Sequence, residues 1–179
     1  MKRTASLLFL AVLVLALGSC RSRTDRSEGS VLLSVTDFDG LPLLVDVSDG
    51  GPTQIGEITL RNFAKDPSGT TSDLQSIELR SYEVRFSRRD TGTRVPPPMV
   101  KSIFSLVPVN GTSTITNLPF LTENQLANPP ISDLGTTGAD RETGSRVIVL
   151  NVSMRFFGRT LAGDDIASDP ASFTVEVVP

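Results

Sequence analysis

Histidine and tryptophan are absent from the 179 residues, and cysteine and tyrosine occur once each. The missing histidine excludes Ser-His-Asp and Cys-His catalysis, imidazole metal ligation and histidine pH switching together. A single cysteine closes no intrachain disulfide, so a folded body has to hold without covalent staples. Basic charge is not in excess either: 17 Lys and Arg face 20 Asp and Glu, net −3. A mildly acidic chain lacks the electrostatic footprint of a nucleic-acid binder. The N-terminal apolar run, Leu7 to Leu17, is 11 residues. That is too short for a helix across a hydrocarbon core about 30 Å thick.

What is present at the N-terminus is an ordered address. Met1-Lys2-Arg3 precedes the apolar run, and Leu17-Gly18-Ser19-Cys20 follows it. Two cations, a short apolar core and small residues make a signal peptide. The last four residues resemble the lipobox of bacterial lipoproteins. The resemblance covers residues 1–20 and implies cleavage of residues 1–19, acylation of Cys20 and export to a membrane. In that family an Asp after the cysteine retains the protein at the inner membrane. Arg21 stands here, which implies the outer membrane if the cell is Gram-negative. Ordinary secretory cleavage after Ala16-Leu17-Gly18 is the competing reading, and it leaves Cys20 a stray thiol. Several acyl chains, at about 0.8 kcal/mol per buried methylene, give a firm anchor.

Cleavage would leave 160 residues with 15 basic and 20 acidic side chains, net −5. After Cys20, Arg21 to Ser30 mixes Ser, Arg and acids with nothing apolar to pack. Residues 20–30 therefore read as a flexible tether. Residues 31–179 read as a single domain, long enough to bury a sizeable core.

The body consists of short apolar runs broken by turn residues, the all-β pattern. Candidate strands are Val31–Phe38, Leu43–Val47, Gln54–Asn62, Ile77–Ser87, Val100–Val107, Thr112–Asn117, Arg146–Phe157 and Phe173–Val177. Turns fall at Asp39-Gly40-Leu41-Pro42 and at Asp49-Gly50-Gly51-Pro52. Ile77 and Leu79 are apolar at odd positions, and Tyr82, Val84 and Phe86 at even ones. The parity switch requires a bulge at Arg80-Ser81 or two separate strands. Asn110-Gly111 predicts a hairpin between its flanking strands. Thr122 with Gln125 predicts a capping box on one short helix. Residues 131–144 read as a polar loop, and Gly158 and Gly163 bound a turn-rich stretch. The predicted fold is all-β: an antiparallel two-sheet β-sandwich, immunoglobulin-like in the broad sense. A small β-barrel is the alternative, because periodicity does not separate the two.

The chemistry is sparse. Asp37 and Asp39, in Asp37-Phe38-Asp39-Gly40, are candidate metal ligands, because Asp-x-Asp-Gly is half of a calcium loop. The third acid or amide and the distal Glu are missing, and Asp-Gly turns between strands explain the same residues. Asp46, Asp49 and Asp164-Asp165 read the same way. Arg80, Arg85, Arg88, Arg89 and Arg94 form one basic cluster, with Arg85, Arg88 and Arg89 as candidate partner contacts. The opposing reading is a solvated strand face salted by Glu78, Glu83 and Asp90. Tyr82 fits a core phase. No catalytic residue is assigned and no cofactor is expected. Two function classes remain. One is a membrane-anchored envelope lipoprotein whose non-catalytic sandwich binds a protein or glycan or supports an assembly. The other is a small carboxylate-dependent hydrolase.

Overall fold

The computed structural model describes residues 29–39, 43–50 and 53–179. The signal segment 1–19, Cys20, tether residues 21–28, and turn residues Gly40, Leu41, Pro42, Gly51 and Pro52 lie outside the described residues.

The described chain is mostly strand: β1 (Val31–Phe38), β2 (Leu43–Asp46), β3 (Gln54–Ala64), β4 (Ile77–Arg88), β5 (Met99–Val107), β6 (Thr112–Pro119), β7 (Ile148–Thr160), β8 (Asp165–Ala167) and β9 (Ala171–Val178). A 3-10 turn (Asp73–Gln75) and two short helices, α1 (Glu123–Leu126) and α2 (Ile131–Thr137), complete it. One sheet has the order β1-β3-β6; the other runs β2-β9-β7-β4-β5, with β8 also paired to β7. The two sheets pack face to face and one curls as a half-barrel, so the fold is an all-β sandwich. Gly29 is buried, and the Ser30 carbonyl accepts a bond from the Lys65 amide at 3.0 Å. These two residues of the expected tether therefore belong to the body.

The core lies between inward-facing residues of the two sheets. Ile55, Ile58 and Leu60 of β3 meet Ile77, Leu79, Tyr82 and Val84 of β4 and Ile148, Leu150, Val152, Met154 and Phe156 of β7; all are buried. Burying such side chains contributes about 1.5–3 kcal/mol each against exposure. Tyr82 on β4 stacks on Phe156 of β7, centroids 5.9 Å apart. Its hydroxyl donates to the Pro119 carbonyl at 2.8 Å. The ring pair thus lies within one sheet, and the hydroxyl bond to Pro119 of β6 ties that sheet to the other. Burial pushes the Tyr82 phenol up to about 12.

The parity slip in β4 is a bulge. Register shifts between Leu79 and Ser81 against both β5 and β7, so Leu79 and Tyr82 both face inward within one strand. Gly158 stands opposite Leu79. A Cβ there would lie 2.6 Å from the Glu78 carbonyl oxygen. Glycine at 158 therefore serves close strand approach beside the bulge, and β7 runs through it to Thr160. The turn-rich stretch expected from Gly158 onward shrinks to residues 161–164.

Three other expectations need correction. Asn110-Gly111 makes a turn, with Asn110 at φ 55°, but β5 and β6 enter different sheets. The Asn110 Oδ1 accepts from the Ala64 amide at 3.0 Å, and the Gly111 carbonyl from the Asn62 amide at 3.0 Å. The turn is thus spent on β3, and β6 follows β3. The sandwich is also not purely antiparallel, because β2 pairs parallel with β9. The chain changes sheets between β1 and β2, which brings β2 alongside the last strand. Finally, the polar loop 131–144 contains α2. Ile131 and Leu134, three apart, are fully buried, and Gly138 at φ 73° closes the helix by donating to the Leu134 carbonyl at 2.9 Å. The capping box at Thr122 and Gln125 forms as predicted.

Candidate functional site

Strand β5 forms one edge of the larger sheet. Its odd positions face inward with Ile77, Leu79, Tyr82 and Val84 through the pairings Ile77–Val107, Leu79–Ser105, Tyr82–Lys101 and Val84–Met99. Its even positions face out. Val100, Phe104 and Leu106 are exposed, Phe104 by 82%. Edge strands usually carry charge or proline to discourage pairing. Here exposed Lys101, at the mouth of the sandwich, is the only charge between Met99 and Val107, and the outward positions carry none. Thr53, Gln54, Lys101, Leu121 and Glu123 line part of a broad recess of ≈400 Å3 at the mouth of the sandwich.

Behind this apolar stripe the outer face is a charge ladder. Glu78 pairs with Leu106 on one side and Arg159 on the other; Glu83 pairs with Val100 and Arg155. Arg80 meets Glu78 at 3.2 Å and Arg85 meets Glu83 at 2.9 Å. The Arg155 guanidinium lies 5.5 Å from the Phe157 ring centroid. Glu83, Arg85, Ser153, Arg155 and Pro170 line a shallow cavity of ≈150 Å3. The arrangement is an exposed greasy edge bordered by paired charges. It suits recognition of an apolar, extended surface.

The expected basic cluster is divided between two faces. Arg85 and Arg89 point outward; the Arg89 Nη1 donates to the Thr174 hydroxyl at 3.0 Å. Arg88 has inward parity, and its side chain is only 2% exposed. Its Nε and Nη2 donate to Asp90 at 2.6 and 2.9 Å, and Nη2 also donates to Asp140 at 2.9 Å. Arg88 is therefore consumed by internal pairing and presents nothing to a partner. Arg94 sits 3.6 Å from Asp133, which also meets Arg141 at 3.1 Å.

This knot ties the segment after β4 to the loop before β7. Asp90 also accepts from the Gly92 and Val149 amides, and Glu142 accepts from the Thr93 and Arg94 amides. Hydrogen bonding from Arg88 holds the Asp90 carboxyl down at about 2. Burial pushes Asp140 up, but its bonds from Arg88, Thr143 and the Glu142 amide outweigh that and leave it low. The Thr93 hydroxyl bond lowers Glu142. Burial also opposes the charge on Arg88, and the two carboxylates more than restore it. Asp90, Asp140 and Glu142 are thus all held below the ordinary carboxylate range, the opposite of a general acid poised near neutrality.

The other acids do separate jobs. Asp37 pairs with Thr59 within β1, and the Asp39 amide donates to the Glu57 carbonyl at 2.9 Å. Asp46 folds its own turn, accepting from the Ser48 amide and hydroxyl at 2.9 and 2.6 Å. The Asp164 amide binds the Thr160 hydroxyl, and Asp165 meets Arg159 at 3.2 Å. Among the described residues no three acids or cysteines converge as a metal cage requires. No described helix is long and apolar enough to cross a membrane. No family model, no curated protein and no solved structure matches the chain.

Sequence reasoning missed the β5 stripe and the acids of the 131–144 loop. Val100, Phe104 and Leu106 alternate with Met99, Ile103 and Val107. An all-round apolar strand reads as covered on both faces, and only the sheet order reveals it as an edge.

Proposed function

We propose that the protein is a lipid-anchored bacterial envelope lipoprotein whose β-sandwich head is a non-catalytic binding module. Acylated Cys20 holds it on a membrane, the outer one in a Gram-negative cell. The outward stripe of β5 receives a protein partner. The observation that carries the binding reading is Phe104, 82% exposed on an uncharged outer stripe of a sheet edge. An apolar stripe suits an extended protein segment better than a glycan, which would call for convergent polar groups. The carboxylates do not favour hydrolysis, because those with lowered pKa are tied to turns or to Arg88.

Membrane fractionation of Cys20→Ser and in-cell cross-linking of Phe104→Ser test the two halves separately. Cys20→Ser should leave the membrane fraction. Phe104→Ser should stay there, folded, and lose the partner cross-link of the wild type. Unchanged fractionation of Cys20→Ser would refute the anchor, and an unchanged cross-link in Phe104→Ser would refute the stripe.

A further inference from the structure

At the end of the sandwich opposite the Arg88 knot, two loop tips hold leucines out. Leu74 is 57% exposed and Leu161 48% exposed. Neither tip is loose. The Ser72–Gln75 capping box fixes the 3-10 turn that carries Leu74. The Leu161 amide donates to the Ser76 carbonyl at 3.0 Å and the Ala162 amide to the Leu74 carbonyl at 2.9 Å. The backbone therefore clamps the two leucines as neighbours in a rigid, outward pair.

The chain enters the domain at this same end. Gly29 packs on Ile166, just past the Leu161 turn. The Ser30 hydroxyl accepts from the Gln75 side chain at 3.1 Å. Cys20 lies nine residues before Gly29, at most about 30 Å of chain. Strand β7, 13 residues long, spans about 43 Å. An anchor at Cys20 therefore reaches the leucine tips but not the far end of the domain.

We infer that Leu74 and Leu161 rest on the lipid surface that holds the anchor, and that this surface is of zwitterionic phospholipid. The inference depends on the acylation proposed above. The charge at this end selects the lipid. Lys65 is outnumbered by Asp66, Asp73 and Asp164, and Arg159 is paired with Asp165. The described loops at this end therefore offer anionic headgroups no net attraction, and the apolar side chains carry the head's contact. The tips set the orientation of the head: they face the bilayer, while the Arg88 knot faces away from it.

The absence of tryptophan makes the test direct. Leu74→Trp, Leu161→Trp and, as a control at the knot end, exposed Leu44→Trp, whose strand pairs with Glu176 opposite Val149, are purified from membranes in acylated form. Each is placed in phosphatidylcholine vesicles with and without bromine-substituted acyl chains. A side chain seated ~5–10 Å into the interface is quenched roughly twofold or more, which is the result expected at 74 and 161 but not at 44. Acylated protein unquenched at 74 and 161 would overturn the contact and leave the anchor standing. Emission at 74 or 161 that follows protein density rather than bromine would assign the tips to a second copy and also overturn it. Protein recovered without acyl chains would overturn the anchor, and the contact with it.

Discussion

Replacing Asp140 with Asn should destabilise the domain by about 3 kcal/mol, because Arg88 stays charged and buried after one of its two carboxylates is neutralised. The Asp140 side chain is 0% exposed and that of Arg88 is 2% exposed. Removing one partner of such a pair costs about 3–5 kcal/mol. Asp90 keeps its two-pronged grip at 2.6 and 2.9 Å, which sets the value at the lower end. Urea denaturation at pH 7, followed by far-ultraviolet circular dichroism, reads the change as a lower midpoint with the same slope. Acid supplies the second arm. Asp90 is held at about 2, below its usual 3.8. Its charge therefore stabilises the fold fully above about pH 4, by about 2 kcal/mol, and that contribution is lost as pH falls through 2. Asp140 is lowered too and adds to the same loss. The Asn variant should show a shallower decline over that window. A midpoint within about 0.5 kcal/mol of wild type, with the same acid profile, would refute the knot as a stabilising device.

Other predictions follow from single contacts. Tyr82 is the only tyrosine and no tryptophan obscures it, so ultraviolet titration should give a single phenol ionising near 12; ionisation near 10 in folded protein would show that the ring is not buried. Gly158→Ala should cost about 1–3 kcal/mol by overpacking, since its Cβ would meet the Glu78 carbonyl; a neutral effect in thermal melts would contradict the close approach. Leu150→Asp places a charge on the fully buried face of β7, a cost of several kcal/mol against a total of about 5–15; native spectra and full solubility would remove that face from the core.

The legible parts of the fold were those written in side-chain period. Ile148, Leu150, Val152, Met154 and Phe156 share parity and share burial. The slip at Arg80-Ser81 is a local mismatch that only a bulge resolves within one strand. The Thr122–Gln125 box is a local hydrogen-bond pattern. What was not legible depended on partners distant in sequence. Whether β5 pairs with β6 after Asn110-Gly111 is decided by Ala64 and Asn62 on β3. Gly158 looks like a turn residue until Glu78 is placed beside it. Helix α2 hides because its apolar content is only Ile131 and Leu134. The candidate site behaved likewise. Arg88 and Arg89 are neighbours in sequence, yet one is folded inward against Asp140, 52 residues on, and the other lies over β9. Phe104 is a surface residue because no layer covers the outer face of the larger sheet, which also leaves Arg80 and Arg85 of β4 exposed.

Mass spectrometry of the N-terminal peptide, taken from protein extracted out of membranes, tests the central claim most directly. The account predicts a peptide that begins at Cys20 and carries fatty acyl mass on it. A peptide with a free Cys20 thiol, or one that begins at any other residue, would contradict it.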